Sequence, residues 1–266
     1  MPPKNKTPPK PKPSTFKVDE APPTAVVIAD EFGERFEPIV QWQPYSLLPL
    51  ANVPMLHISL TRLIRDGFRN IIIFACRQAQ KIKIFIDKNN YMKRFPGVKI
   101  SVHNGNGCRS LGEAMRDIEY SELLRGISDF VCLPADLISD VSLFTLLNIF
   151  KERRKENSSS AIDLVFAERP NFETSDDESC SLIYTTPDMK VVQIYRNRGN
   201  MPLILSVENT LAASASNNLT AIRTNLVDTR VLLCSSHIPP LLQVRPLFTF
   251  YCISFLTCRC KHSPKS

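Results

Sequence analysis

Glycine is scarce in this 266-residue chain, with eight in all, and tryptophan occurs once. The shortage matters wherever a loop must bring bare backbone close to an anion, because glycine is the residue that permits it. No apolar leader core opens the chain, and no stretch before residue 243 is long and apolar enough to cross a bilayer. The short apolar run Leu247 to Thr257 is also below spanning length. Internal repeats are missing as well, the hexapeptide repeats of a β-helix included. The eight cysteines (Cys76, Cys108, Cys132, Cys180, Cys234, Cys252, Cys258 and Cys260) have no paired spacing through the body. Cys258 and Cys260 lack the two-residue spacer and the second ligand pair of a zinc site. Several of the others lie in apolar runs, where cysteine acts as a small hydrophobe, so a reducing cytosol is the expected compartment.

Acidic residues are absent from both ends. Residues 1–17 carry five lysines, and residues 243–266 carry Arg245, Arg259, Lys261 and Lys265. Removing those nine cations from the total of +7 leaves residues 18–242 at −2. The basic character therefore belongs to the ends, and a nucleic-acid groove on the folded body is not expected. Residues 1–23, rich in Pro and Lys, read as a disordered tail.

From Thr24 onward, continuous apolar runs alternate with helical periodicity. "AVVIA" reads as a strand covered on both faces, "NIIIFA" as a second buried strand, and "VKISVHN" and "DFVCLPAD" as a third and a fourth strand. Between them, Leu56, Leu60, Leu63 and Ile64 share one helical face that closes at Gly67, and Ala79, Ile82 and Ile86 share another. Ser110 and Glu113 have capping-box spacing, and a helix from a Ser139 cap to about Arg154 is predicted. Its exit, "KERRKENSSS", reads as a charged, solvated stretch, with Arg153 and Arg154 as candidates to meet an acidic partner. "AIDLVFA", a hairpin turning at Pro187–Asp188, and "TRVLLCSS" supply later strands. The fold class expected is α/β: an open, mostly parallel sheet flanked by helices, Rossmann-like in character. One domain covers residues 24–242, with its C-terminal end incomplete. Residues 243–266 change character abruptly and form a divergent tail.

In such sheets ligands bind beyond the carboxyl ends of strands, which points to Ala29–Pro38. The pattern there strongly resembles the sugar-nucleotide pyrophosphorylase family of nucleotidyltransferases. Gly33, Arg35, Pro38, Pro44 and "LLPLANVPML" stand in register with that family's loop, and Asp136 matches its metal-binding aspartate. The departures fall on the chemistry. Asp30 and Glu31 replace two leading glycines, and Tyr45 replaces a lysine. At roughly 4 Å and an effective dielectric near 20, each carboxylate facing a phosphate charge costs about 4 kcal/mol. The expectation is a degenerate loop in which Asp30, Glu31, Gly33, Arg35 and Tyr45 are remnants. No catalytic residue, metal or cofactor is assigned, and Asp136 is a vestigial metal candidate.

A closer resemblance is carried by "AVVIAD-x-F-x-x-RF-x-PI", "QP-x-x-LLPLANVPML", "FACRQAQKIK", "RSLGEAMRDIE", "DFVCLPADLISD" and "NLVDTRVLLCS". Together these resemble the epsilon-subunit family of eukaryotic translation initiation factor 2B, from about Ala25 to Leu242. The resemblance implies a cytosolic, non-catalytic domain that assembles with other subunits, gamma foremost, and serves initiation factor 2. In that family guanine nucleotide exchange belongs to a C-terminal helical domain, which this chain is expected to lack. An active sugar-nucleotide pyrophosphorylase is the alternative. Trp42 is either a partner-facing anchor or packed against the sheet. His57 and His103 are given structural roles.

Overall fold

The computed structural model of the protein describes residues 21–32, 36–156, 161–168, 179–186, 190–196, 219–244 and 256–257. Four of the predicted runs become the parallel heart of a sheet: β1 (Thr24–Ile28), β4 (Asn70–Ala75), β5 (Lys99–Asn104) and β6 (Asp129–Pro134), ordered β6-β1-β4-β5. Between β1 and β4 lie the short helix α1 (Ile39–Trp42), a 3₁₀ turn (Tyr45–Leu47) and a two-residue hairpin, β2 (Pro49–Leu50) with β3 (Val53–Pro54).

The three inner parallel strands, β6, β1 and β4, are buried on both faces because helices cover both, while β5 at the edge is only partly covered. In β1, Ala25 and Val27, followed by Ala29 just past its end, face a layer built with α2 (Met55–Asp66), α3 (Ala79–Asn89) and α6 (Leu143–Glu156). Val26 and Ile28 face the opposite layer, with α5 (Leu111–Tyr120) and α7 (Ile238–Val244). The short α4 (Tyr91–Arg94) follows α3 directly. Helix α2 buries the predicted Leu56, Leu60, Leu63 and Ile64, and it stops at Gly67, whose φ of +109° strains any side-chain-bearing residue.

Beyond β6 the sheet turns antiparallel. The long β10 (Leu219–Ser235) pairs with β6, with β7 (Ile162–Glu168) and with β8 (Ser179–Thr186), and β8 pairs with β9 (Lys190–Arg196) as the predicted hairpin. The turn at Pro187–Asp188 lies outside the described residues. A last two-residue strand, β11 (Leu256–Thr257), joins β9, so part of the 243–266 segment adds to the sheet. The α/β class holds, with a parallel centre and an antiparallel extension.

Two expectations at α6 are corrected. The helix starts at Leu143, and Ser142 caps it by accepting the Thr145 N–H at 3.2 Å. Ser139 closes a separate turn through the Val141 N–H, because the apolar face begins only at the buried Leu143. Arg153 and Arg154 do not reach outward either. Arg153 pairs with Asp163 at 2.6 Å, and Arg154 pairs with Asp129. Both carboxylates are almost wholly buried at the starts of β7 and β6, so they draw the arginines of the passing helix inward. Helix α5 keeps half its predicted cap: Ser110 accepts the Glu113 N–H, while Glu113 accepts the N–H of Arg109 rather than that of Ser110.

Candidate functional site

The chain runs from β1 outward through β4 to β5, then returns to β6 on the other side of β1. The carboxyl end of β1 is therefore a topological switch point, where open α/β sheets form their ligand crevices. Parallel pairing continues just past the strands, with Ala29 N–H donating to Phe74 O at 2.8 Å and Ala135 N–H to Ile28 O at 2.9 Å. Asp30 and Asp136 are thus the first residues beyond the ladder on neighbouring strands.

Asp30 is turned toward the chain itself. Its Oδ2 accepts the backbone N–H groups of Cys76 and, at 3.2 Å, Arg77, at the start of the loop after β4. Burial pushes its carboxyl pKa up, against the lowering effect of the two amides. An internal carboxylate thus takes amides of the kind a phosphate takes at such a loop. Cys76 packs beside it, with its Sγ accepting the Cys108 N–H at 3.3 Å, and burial raises its pKa to about 12. That makes it a poor nucleophile. Gly105, at the end of β5, closes this corner: a Cβ there would lie 2.3 Å from the Phe74 ring.

Tyr45 lies in the 3₁₀ turn, buried against Phe36 with ring centroids 4.8 Å apart. Its O–H donates to Asp136 Oδ2 at 2.5 Å, and burial, then Asp136, holds the phenol protonated well past its ordinary range. The same Asp136 oxygen is held at 2.6 Å by the guanidinium of Arg230. Arg230 is not among the residues that the sequence pattern singles out. In β10 the register slips between Asp228 and Val231 against β7, and Arg230 takes a left-handed φ of +58°. The signal was the polar pair Asp228–Thr229 interrupting the apolar run "NLVDTRVLLCS".

Asp30, Glu31, Val40, Pro44, Tyr45 and Arg77 frame a cleft with room for about one water molecule. Beside it, α1 is held by α3: Gln78 donates to the carbonyls of Val40 and Gln41, and Lys81 to that of Trp42. Trp42 itself is 79% exposed, with Ile39 on the same helix also exposed. Of the two roles open to Trp42, packing against the sheet is excluded. Gly33 and Arg35 lie outside the described residues.

His57 contacts the Tyr91 hydroxyl, and His103 Nε2 meets Asp117 at 3.0 Å and Ser121 Oγ at 3.3 Å. Because acid and hydroxyl share one nitrogen, they do not form a nucleophile relay, which uses both ring nitrogens. Among the described residues no group of three His, Cys, Asp or Glu side chains is placed to hold a metal ion.

No protein-family profile matches the chain. Among curated proteins it is 30% identical over 174 residues to translation initiation factor eIF2B subunit epsilon of Dictyostelium discoideum, covering 65% of this chain and 24% of that protein. The protein of the same name from Schizosaccharomyces pombe is 26% identical over 219 residues, 82% of this chain and 32% of its own length. The chain thus spans about a quarter to a third of these relatives. Among solved structures, a UDP-glucose pyrophosphorylase bound to UDP-glucose superposes with a TM-score of 0.57 at 14% identity, covering 84% of this chain and 80% of that one. A putative glucose-1-phosphate thymidylyltransferase from Bacillus anthracis gives 0.63 at 13% identity, covering 90% and 87%. These likenesses give the fold: nucleotidyltransferase-like α/β.

Proposed function

We propose, from the premise that this chain is a homologue of the eIF2B epsilon subunits across its α/β domain, that the domain is a non-catalytic assembly module of that initiation factor. It works in the cytosol, holds the gamma subunit foremost among its partners, and through the complex serves initiation factor 2. The observation that carries the reading is the inward use of the strand-end carboxylates. Asp30 occupies backbone amides, and Asp136 is bonded by Tyr45 where the family's loop has a lysine. The cleft, with room for about one water, is far smaller than the roughly 300 Å³ or more of an ordinary ligand site. The exposed Trp42 offers an anchor for a partner.

These residues are assigned to assembly and not to the exchange step. The folded body, at −2, is not assigned nucleic-acid binding. Among the described residues no helix is long and apolar enough to cross a membrane. Nucleotidyl transfer, the alternative, rests on fold likeness alone.

The test is a titration of the full chain with Mg-bound GTP and UTP, read by Trp42 fluorescence and calorimetry, beside co-purification with the gamma subunit. Silence up to millimolar nucleotide together with stable gamma association is expected. Saturable micromolar nucleotide binding would transfer the domain to the enzyme reading.

A further inference from the structure

The fold family brings a metal-binding aspartate to the position of Asp136, and the residues present do not fit that use. Asp136 Oδ2 already carries two donors, the Arg230 guanidinium at 2.6 Å and the Tyr45 hydroxyl at 2.5 Å. A divalent cation would have to displace an arginine and then find oxygen ligands that the described residues do not group there. Asp136 Oδ1 is buried without a hydrogen-bond partner in the structure. An unpaired oxygen of this kind is tolerated when charge on the carboxylate is met nearby.

We propose that Arg230 is the resident cation of this strand end: its guanidinium occupies the aspartate that the resembled family uses for metal, and with Tyr45 it keeps that carboxylate out of reach of divalent ions. The proposal deepens the non-catalytic reading and rests on it.

The placement of Arg230 is built by the strand that carries it. β10 runs antiparallel to β6 with Leu232 opposite Cys132, so the segment just before Leu232 leads toward the end of β6 that precedes Asp136. The bulge then re-aims the side chain. Arg230 N–H donates to Asp228 Oδ1 at 2.8 Å, Val231 N–H to Thr229 Oγ1 at 3.3 Å, and Thr229 Oγ1 to Val165 O at 2.5 Å. A left-handed conformation is strained for an arginine and persists where the surroundings over-determine it. Here they do, and the outcome is a cation aimed along the sheet edge at one carboxylate. Arg230 is about half exposed while Asp136 is mostly buried, so the pair sits at the edge of solvent beside the cleft. Tyr45 completes the change: a lysine at its position would put a second cation beside Arg230, whereas a phenol adds a donor without charge.

The experiment measures Mn²⁺ binding to the full chain by electron paramagnetic resonance, and thermal melting of wild type, Asp136→Asn, Arg230→Met and the double variant, each with and without millimolar Mn²⁺. The wild type is expected to bind no Mn²⁺ and to melt unchanged in its presence. Each single substitution is expected to lower the melting temperature. The double variant should recover part of the combined loss, a coupling of about 2–4 °C for a chain of this size. Arg230→Lys, which keeps a cation on the same backbone, is expected to stay Mn²⁺-free and near wild-type stability, and it serves if the methionine variant does not fold. Wild-type Mn²⁺ binding that Asp136→Asn abolishes would overturn the proposal, because Asp136 would then be a metal ligand. Strictly additive melting shifts would overturn it too, since they would dissolve the pair. Neither result involves nucleotide or the gamma subunit, so a failure here is separable from a failure of the assembly reading.

Discussion

At the residue scale, Asp30 shows what a sequence does and does not disclose. Its identity was legible as a departure from a phosphate loop, but its partners were not. Those depend on the parallel register that sets Ile28 beside Phe74 and so Asp30 beside Cys76. A residue whose folded pKa is raised favours folding in its protonated form, so its contribution is lost as pH rises from the ordinary carboxyl value of 3.8 through the higher folded value. Asp30→Asn keeps an acceptor for both amides without the buried charge. It should melt higher than wild type at neutral pH, with the gap closing in acid as the wild-type carboxyl protonates. Melts at the two pH values check this; an asparagine variant that melts lower at neutral pH would mean the amides outweigh burial. Gly105 makes a simpler case. Gly105→Ala forces its methyl into the Phe74 ring, an overpacking cost of roughly 1–3 kcal/mol readable by urea unfolding.

At the scale of elements, the strands and helices of the parallel half were visible because continuous apolar runs and helical stripes are local signals, and Gly67 marked an end by its own chemistry. The start of α6 was misread because Ser139 and Ser142 both offer a capping hydroxyl, and only burial of Leu143 decides between them. Ser142→Ala should cost about 1 kcal/mol in urea unfolding, and Ser139→Ala less than about half that. The arginines at the other end of α6 were misread for a related reason: nothing local says that Asp129 and Asp163 lie beneath them. Arg153→Met should destabilise by roughly 3–5 kcal/mol because the buried Asp163 loses the cation it pairs with, and replacing Asp163 by leucine in the same chain should recover most of it. If the single variant costs no more than an ordinary surface change, the clamp is not holding the helix.

At the scale of the molecule, the fold class followed from the alternation of elements, and the position of the crevice followed from topology. The antiparallel extension was only partly legible, because pairing of β10 with three strands is a long-range choice that no window of sequence encodes. Arg230 belongs to that choice, and so it was missed. Trp42 was left between two roles because a lone aromatic in a loop carries no periodicity. Its exposure now makes Trp42→Ala the variant to set against the gamma subunit. Loss of about 2 kcal/mol of binding, with melting unchanged, is the expected result in a co-purification titration.

The seam where β6 meets β10 joins the two halves of the sheet, and it carries Cys132 and Cys234, both fully buried, with the pKa of Cys132 pushed up to about 12. Cys76 and Cys108 sit at the rim, partly exposed. The protein therefore contains its own clock. Under a thiol-alkylating reagent, with labelled peptides followed by mass, the rim pair reacts as the site loops breathe, while the seam pair waits until the two halves of the sheet part. If the seam thiols label faster than the whole chain unfolds in the same buffer, the antiparallel half opens on its own and the domain is two cooperative units. If the two rates coincide, the sheet opens as one.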